Sequence, residues 1–317
     1  MIERDCCLGI DTSCYTTSVA CVNANGIVFS ERTMLSVPFG GRGLRQSEGL
    51  FQHVKQLPPL IEHLFEQVNR ERIGVVAVSA KPVDEENSYM PVFLAGLGLA
   101  RSLAAALGVP LIKTHHQAGH LRAALVGNES LIGQPIYGFH ISGGTTDLMT
   151  VETCLDRPYM IRQVGTSTDL HAGQFVDRVG VKLGLPFPAG KHLEQLAQNA
   201  VERNVKLAAA VRNGSCSFSG AEAAAMRIYG TVPDTELAYG VYDCLARTIT
   251  KMLRFAVEQN GKRPVLICGG VASSALLRKM LQERYGQGIY WGKQELSADN
   301  AVGVAYIGWE RSALWNS

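Results

Sequence analysis

Leu8-Gly-Ile-Asp-Thr-Ser-Cys-Tyr-Thr-Thr-Ser-Val-Ala-Cys-Val22 returns in the same pattern as Tyr137-Gly-Phe-His-Ile-Ser-Gly-Gly-Thr-Thr-Asp-Leu-Met-Thr-Val151, at a constant offset of 129 residues. In each copy an apolar strand enters a small, hydroxyl-rich turn and leaves as a second apolar strand, the signature of a β-hairpin. Backbone N–H groups freed by such a turn, with Ser and Thr hydroxyls beside them, suit the oxygens of a phosphate. Two copies predict a duplicated α/β fold whose two lobes close on a nucleotide or phosphorylated substrate from either side of a central cleft.

Around the hairpins the periodicity alternates between helix and strand. Apolar residues from Leu50 to Val68 recur at helical spacing within 47–70, and Ile73–Ser79 reads as a buried strand. Residues 81–89 read as a polar loop, 91–108 as an Ala/Leu/Gly helix, and 110–113 as a short strand entering a His-rich helix start. After the second hairpin come a strand near 158–164, helices near 169–184, 191–203 and 233–259, a strand over 265–268, a helix over 274–284 and a final helix over 298–311. The expected division is a first lobe over 1–110, rejoined by 300–317, and a second lobe over 111–299 carrying a metal and nucleotide site.

Composition narrows the class. The chain has 317 residues, 46% of them hydrophobic, enough for two lobes with separate cores. A net charge of +2 is too mild to argue for a nucleic-acid coat protein, although a local basic patch can still hold RNA. Eight cysteines without a C-x-x-C pair, several in apolar runs, predict reduced, buried thiols. With no apolar leader and no membrane-length apolar run, the expected location is cytoplasmic, away from membranes.

Several short patterns carry chemistry. His116 and His120, four apart, share a helical face and can share a metal ion; such a pair is more often an ordinary surface or core pair. A zinc protease needs a Glu directly after the first His, and Gln117 stands there. Asp299, at a helix start, is either a cap or a ligand. His140 ends the first strand of the second hairpin, where the first copy has Asp11, and is either a ligand or a satisfied core histidine. Gly269 and Gly270 end a strand and open a helix through Ser274, a turn that can meet a nucleotide phosphate or be only a turn. Asp177 can accept from ribose hydroxyls or be a solvated helix carboxylate.

Taken together, Leu8–Cys14, His116-Gln-Ala-Gly-His120, Ile141-Ser-Gly-Gly144, Ala172-Gly173 with Asp177, Gly184-Leu-Pro-Phe-Pro188, Phe218-Ser-Gly220, Gly269-Gly-Val271 and Asp299-Asn300 resemble the universal tRNA threonylcarbamoyladenosine transferase family. That family, once labelled sialoglycoprotein endopeptidases, belongs to the actin/Hsp70/sugar-kinase superfamily, which implies the actin-like two-lobe fold. The resemblance implies one iron or zinc ion on His116, His120 and Asp299, with His140 as a fourth ligand. It implies an adenine nucleotide, either ATP or an acyl-adenylate with or without Mg, against His140, Ile141, Ser142, Gly143, Gly144, Asp177, Gly190, Gly269, Gly270 and Ser274. Asp11 and Ser142 are the candidate catalytic residues, tRNA the implied acceptor, and a homodimer or a heterodimer with a same-fold paralogue the implied assembly.

The departures fall in the site. Tyr15-Thr16 stand where the family has two acids, Ala118 replaces a Glu between the histidines, and Thr145 follows Ser-Gly-Gly in place of His or Asn. Glu222 replaces a Lys, Ser274 replaces a nucleotide-contacting Asn, and 81–88 replace a Gly-Pro-Gly loop. The leading expectation is a metal-dependent transferase moving a threonylcarbamoyl or related carbamoyl group from an adenylate to tRNA adenosine. A metal- or nucleotide-binding paralogue that assists a true transferase comes second. An ATP-dependent kinase or ATPase of the superfamily comes third, disfavoured by His140 because Mg²⁺ prefers oxygen ligands. Arg42, Arg45, Arg278, Lys279 and Arg284 are the basic residues considered for RNA phosphates.

Overall fold

A computed structural model describes residues 3–13, 15–37, 44–152 and 159–312. It resolves into two compact units: 1–133, 153–159 and 295–317 form the first, and 134–152 with 160–294 the second. Cys14, Arg42 and Cys154 lie outside the described residues.

In the first unit, β1 (Cys6–Thr12), β2 (Thr16–Asn23) and β3 (Gly26–Met34) form an antiparallel meander. After α1 (Gln46–Gln67), β4 (Ile73–Ser79) pairs parallel to β1. After α2 (Phe93–Leu107), β5 (Leu111–Thr114) pairs parallel to β4, giving the order β3-β2-β1-β4-β5. α3 (His116–Ala124) completes the unit's central segment. The second unit repeats this topology. β6 (Pro135–Ile141), β7 (Thr146–Glu152) and β8 (Met160–Thr166) form the meander, and α4 (Ala172–Lys182), α5 (Gly190–Gln198), β9 (Ala210–Arg212), β10 (Ser215–Ser217), α6 (Ser219–Ile228) and α7 (Asp234–Asn260) follow. β11 (Val265–Cys268) returns parallel to β6, and after α8 (Ala275–Tyr285), β12 (Ile289–Trp291) pairs parallel to β11. Its sheet order, β12-β11-β6-β7-β8, is the first sheet's order read from the other edge.

The duplication reaches individual residues. Asp11 faces Ser18 and Thr12 faces Thr17 in the first hairpin; His140 faces Asp147 and Ile141 faces Thr146 in the second. Each pair maps onto its counterpart by the 129-residue offset, so the repeated sequence is a repeated register.

β1, β2 and β4 are almost wholly buried, because the first sheet is covered on both faces. α1 and α2 cover one face, with Leu57, Leu60, Leu64 and Ala100 in that core. The last helix, α9 (Val302–Glu310), covers the other against Cys7, Ala20, Val75 and Ala77. Glycine sets its depth: a Cβ on Gly9 would lie 2.6 Å from the backbone N of Ala305.

The unit boundaries fall at 133/134 and 294/295, whereas the sequence suggested 110/111 and 299/300. Strand pairing moves the first, since β5 hydrogen-bonds to β4 and α3 packs on α9. Thus 111–133 and Asp299 belong to the first unit. The sequence reading gave β4 and β11 at their observed bounds and missed β3, β9, β10, α6 and β12. Cys6, Cys7, Cys21, Cys216, Cys244 and Cys268 are buried free thiols, as expected. Among the described residues no helix is long and apolar enough to cross a membrane.

Candidate metal centre and nucleotide turn

α3 begins at His116 because His115 caps it: the His115 Nδ1 accepts from the backbone N–H of Ala118 at 3.2 Å. One turn apart, His116 and His120 then project together, with their Nε2 atoms 2.9 Å apart. Asp299 meets them from the segment leading into α9: its Oδ1 lies 3.0 Å from His120 Nε2 and 3.6 Å from His116 Nε2. This approach depends on a close helix crossing, where a Cβ on Gly303 would sit 1.9 Å from the carbonyl oxygen of Gly119.

The surrounding residues hold this triangle in place. Asp11, fully buried at the end of β1, accepts from Ser79 Oγ and, through both oxygens at 3.1 Å, from His116 Nδ1–H. That bond selects the Nδ1–H tautomer of the neutral imidazole, the form in which Nε2 can ligate a metal. Ser13 Oγ donates to Asp299 Oδ2 at 3.0 Å, while the buried His53 Nε2–H donates to Ser13 O at 2.7 Å. Burial pushes the His53 imidazole down from its usual pKa. Burial also opposes charge on His116, but Asp11 and Asp299 outweigh it and raise that imidazole well above the ordinary histidine range. For Asp299, burial pushes upward and the two histidines prevail, holding the carboxyl well below its usual range.

The donor set fits a transition-metal ion. Two imidazole nitrogens and a carboxylate oxygen converge within 4.8 Å, the one His/Cys/Asp/Glu group of this kind among the described residues. Tetrahedral coordination at ordinary zinc bond lengths places ligand atoms roughly 3.3 Å apart, and the triangle's edges of 2.9, 3.0 and 3.6 Å bracket that value. The carboxylate–histidine arrangement of Asp11 and His116 is the usual support behind a metal-ligating imidazole. His140 is not in the group; it belongs to the second unit, on β6 between Asp147 and Cys268.

The second unit carries the other candidate residues. Ser142 N–H donates to Thr145 O at 2.8 Å to close the turn, and Gly144 N–H lies 3.3 Å from Ser142 Oγ. A Cβ on Gly143 or Gly144 would meet nothing within 4 Å, so this edge of the turn is open. The start of α4 packs beneath it: Gly173 N–H donates to Ser142 O at 3.1 Å, and a Cβ on Gly173 would strike Ser142 O and the backbone of Gly143 at 2.7 Å. Gly269, at φ +100°, lies against His140 and Ile141, where a side chain would strike Ile141 O at 2.3 Å. These residues therefore form one surface. Asp177 Oδ1 accepts from Ala189 N–H, next to Gly190, at 2.8 Å, and burial raises the Asp177 carboxyl's pKa. Gly270 opens a short 3₁₀ turn, and Ser274 caps α8 by accepting from Leu277 N–H at 3.1 Å.

Sequence reasoning gave no weight to Ser13, Ser79 or His53, which act only through contacts distant in the chain. Asp169 is a further residue with a role set by distant contacts. This carboxylate accepts from Ser217 Oγ at 2.5 Å, from Ser219 Oγ and from Phe218 N–H at 2.9 Å, which ties the Phe218-Ser-Gly220 motif to the start of α4. Burial opposes its charge, and these donors outweigh that effect and depress its pKa. At two departures the substitute has local work: Thr16 is buried in β2, and Glu222 pairs with Arg178 at 3.3 Å. Tyr15 is exposed.

Two repeated α/β units, one with a supported His/His/Asp cluster and the other with an open Ser-Gly-Gly turn, define an actin-like fold. The chain belongs to the TsaD family, tRNA N6-adenosine threonylcarbamoyltransferase, whose family model matches residues 44–306. It is 28% identical over 306 residues to a probable bifunctional tRNA threonylcarbamoyladenosine biosynthesis protein of Methanocaldococcus jannaschii, covering 95% of this chain and 54% of that protein. The chain thus spans about half that relative's length. Among solved structures, HypF of T. kodakarensis is similar with a TM-score of 0.62 at 14% identity, over 99% of this chain and 48% of HypF. Component A of (R)-2-hydroxyglutaryl-CoA dehydratase from Acidaminococcus fermentans gives 0.56 at 14%, over 97% and 98% of the two chains. At these identities the structural likeness establishes the fold alone.

Proposed function

We propose that this chain is a metal-dependent transferase that moves a threonylcarbamoyl or related carbamoyl group from an adenylate to an adenosine of tRNA. Membership of a tRNA-modifying transferase family supports the reaction class. The observation that carries the metal dependence is the convergence of His116 Nε2, His120 Nε2 and Asp299 Oδ1 with Asp11 behind His116. Bound there, iron or zinc supplies a Lewis acid that polarises a carbonyl or neutralises a phosphate. The protein's own part is to hold that site ready. Asp11 holds the His116 Nδ1–H, so that an incoming cation would displace the Nε2 proton and take that nitrogen as its ligand. Ser13 and His53 fix the second oxygen of Asp299, which limits reorganisation when a cation enters. The Ser142-Gly143-Gly144 turn presents its open glycine edge to the adenylate phosphate, and Gly173 keeps α4 close enough to hold the turn's shape. In this reading Asp11 positions a ligand, while Ser142 contributes through the turn.

A second reading has one observation in its favour. Tyr15 and Thr16 supply no carboxylate where the family has two acids, and Thr16 is buried in the sheet. The chain then keeps metal and nucleotide but assists a same-fold partner that performs the transfer. The deciding experiment supplies labelled threonylcarbamoyl-adenylate and tRNA to the metal-loaded chain, alone and with a complete family member. Label on tRNA with the chain alone, lost in His120→Ala, supports the first reading. Label only when the partner is present supports the second.

A further inference from the structure

On α7 of the second unit, Asp243 is fully buried and receives three cations: Arg247 Nε at 2.8 Å, Arg284 Nη2 at 2.5 Å and Lys206 Nζ at 3.4 Å. One carboxylate balances one of them. Two further cations continue the same helix at Lys251 and Arg254, which follow Arg247 by four and seven residues and therefore lie along one face. Lys251 Nζ donates to Ala209 O at 2.7 Å and Arg254 Nη2 to Arg284 O at 3.5 Å, contacts that leave both charges unneutralised. Glu258 continues the same face four residues beyond Arg254, so five cationic side chains against two carboxylates give this strip a net +3. Positive charge is therefore in excess along this strip.

The strip is also tethered in place. Arg247 Nη2 donates to Leu207 O, so Lys206, Leu207 and Ala209 of the extended segment before β9 are tied to α7 by side chains that remain partly solvent-accessible. Cations anchored by carbonyls and one buried acid lose little side-chain entropy when they meet an anion. Tyr242 of the same helix donates to Gly190 O at 2.8 Å, so α7 joins the strip to the start of α5, where Gly190 is expected to contact the nucleotide.

We infer that Lys206, Arg247, Lys251, Arg254 and Arg284 form a backbone-phosphate surface on which the acceptor RNA lies. This rests on the proposed transfer to tRNA and adds where the RNA is held. Contacts of this kind are sequence-independent and position a polyanion rather than read its bases. Arg278, a candidate from the sequence, serves elsewhere: its Nε donates to Ala272 O at 2.7 Å and its guanidinium stacks over Trp291.

The test uses the full chain and fluorescently labelled tRNA, with anisotropy titrations over a salt series. Lys206→Gln, Lys251→Gln and Arg254→Gln are combined, leaving Arg247 and Arg284 to neutralise Asp243. The triple variant is expected to bind about 10- to 100-fold more weakly at low salt and to lose roughly one unit of salt slope for each cation removed. The charge-retaining pair Lys251→Arg with Arg254→Lys is expected to bind like the wild type, which separates charge from folding. Unchanged affinity and slope in the triple variant overturn the surface while leaving tRNA as acceptor. Wild-type protein that binds no tRNA also overturns it, and metal content with adenylate binding on the same sample then shows whether the transferase site itself survives.

Discussion

Gly303→Ala tests whether the metal cluster depends on the crossing of α3 and α9. The new Cβ would lie 1.9 Å from Gly119 O and 2.7 Å from Ala123 N, both backbone atoms of α3. Ordinary contact begins near 3.4 Å, so the helices must part by about 1.5 Å. Over-packing in a core costs about 1–3 kcal/mol, and no flexible side chain is present here to yield, so the expected loss is near 3 kcal/mol. With a urea slope of about 3 kcal/mol/M for a chain of this size, the midpoint falls by about 1 M. The same displacement carries His116 and His120 away from Asp299, now 3.0 Å from His120, whereas metal ligands tolerate only about 0.2 Å. Urea denaturation and a competitive chelator titration should therefore show lower stability together with metal affinity reduced tenfold or more. A variant within about 0.5 kcal/mol of wild type and with unchanged metal affinity would refute the claim that this crossing sets the site.

Asp11→Asn keeps shape and removes the charge behind His116; metal affinity should fall about 10- to 100-fold in the chelator titration, with the circular dichroism spectrum unchanged. Glu310→Ala strands Arg122, whose Nε now donates to Glu310 at 2.6 Å in a buried setting, and should cost about 3–5 kcal/mol in denaturant unfolding. A hydrogen bond from Arg72 lowers the Asp5 carboxyl from 3.8 to about 2. Because the folded value is depressed, this stabilisation is complete above pH 3.8 and disappears as pH falls through about 2. The pair is about one-third exposed, so Asp5→Asn should cost less than about 1 kcal/mol at pH 7, and melting curves of the two proteins should converge near pH 2.

Much of this was legible in the chain because it was local or repeated. The 129-residue offset between the hairpins is also their strand register, since each apolar strand runs into the same short turn at the matching position. His116 and His120 could be paired by helical spacing alone. Asp299 joined them only through resemblance, for no local pattern brings position 299 to position 116. Harder still were Ser13, Ser79 and His53, ordinary polar residues whose roles arise where β1, β4 and α1 meet. The contact-defined unit boundary differs from the sequence division for a similar reason: pairing of β5 with β4 is a long-range event, and nothing in Leu111–Thr114 announces it. The polar, largely exposed β3 hid its strand character because only its partner in the sheet defines it.

Elemental analysis of the chain after anaerobic loading with Fe²⁺ or Zn²⁺ and removal of excess ion tests the central claim most directly. One ion per chain, lost in the double variant His116→Ala with His120→Ala while the fold persists, is the predicted result. No stoichiometric metal in the wild type, or equal metal in the double variant, would contradict it.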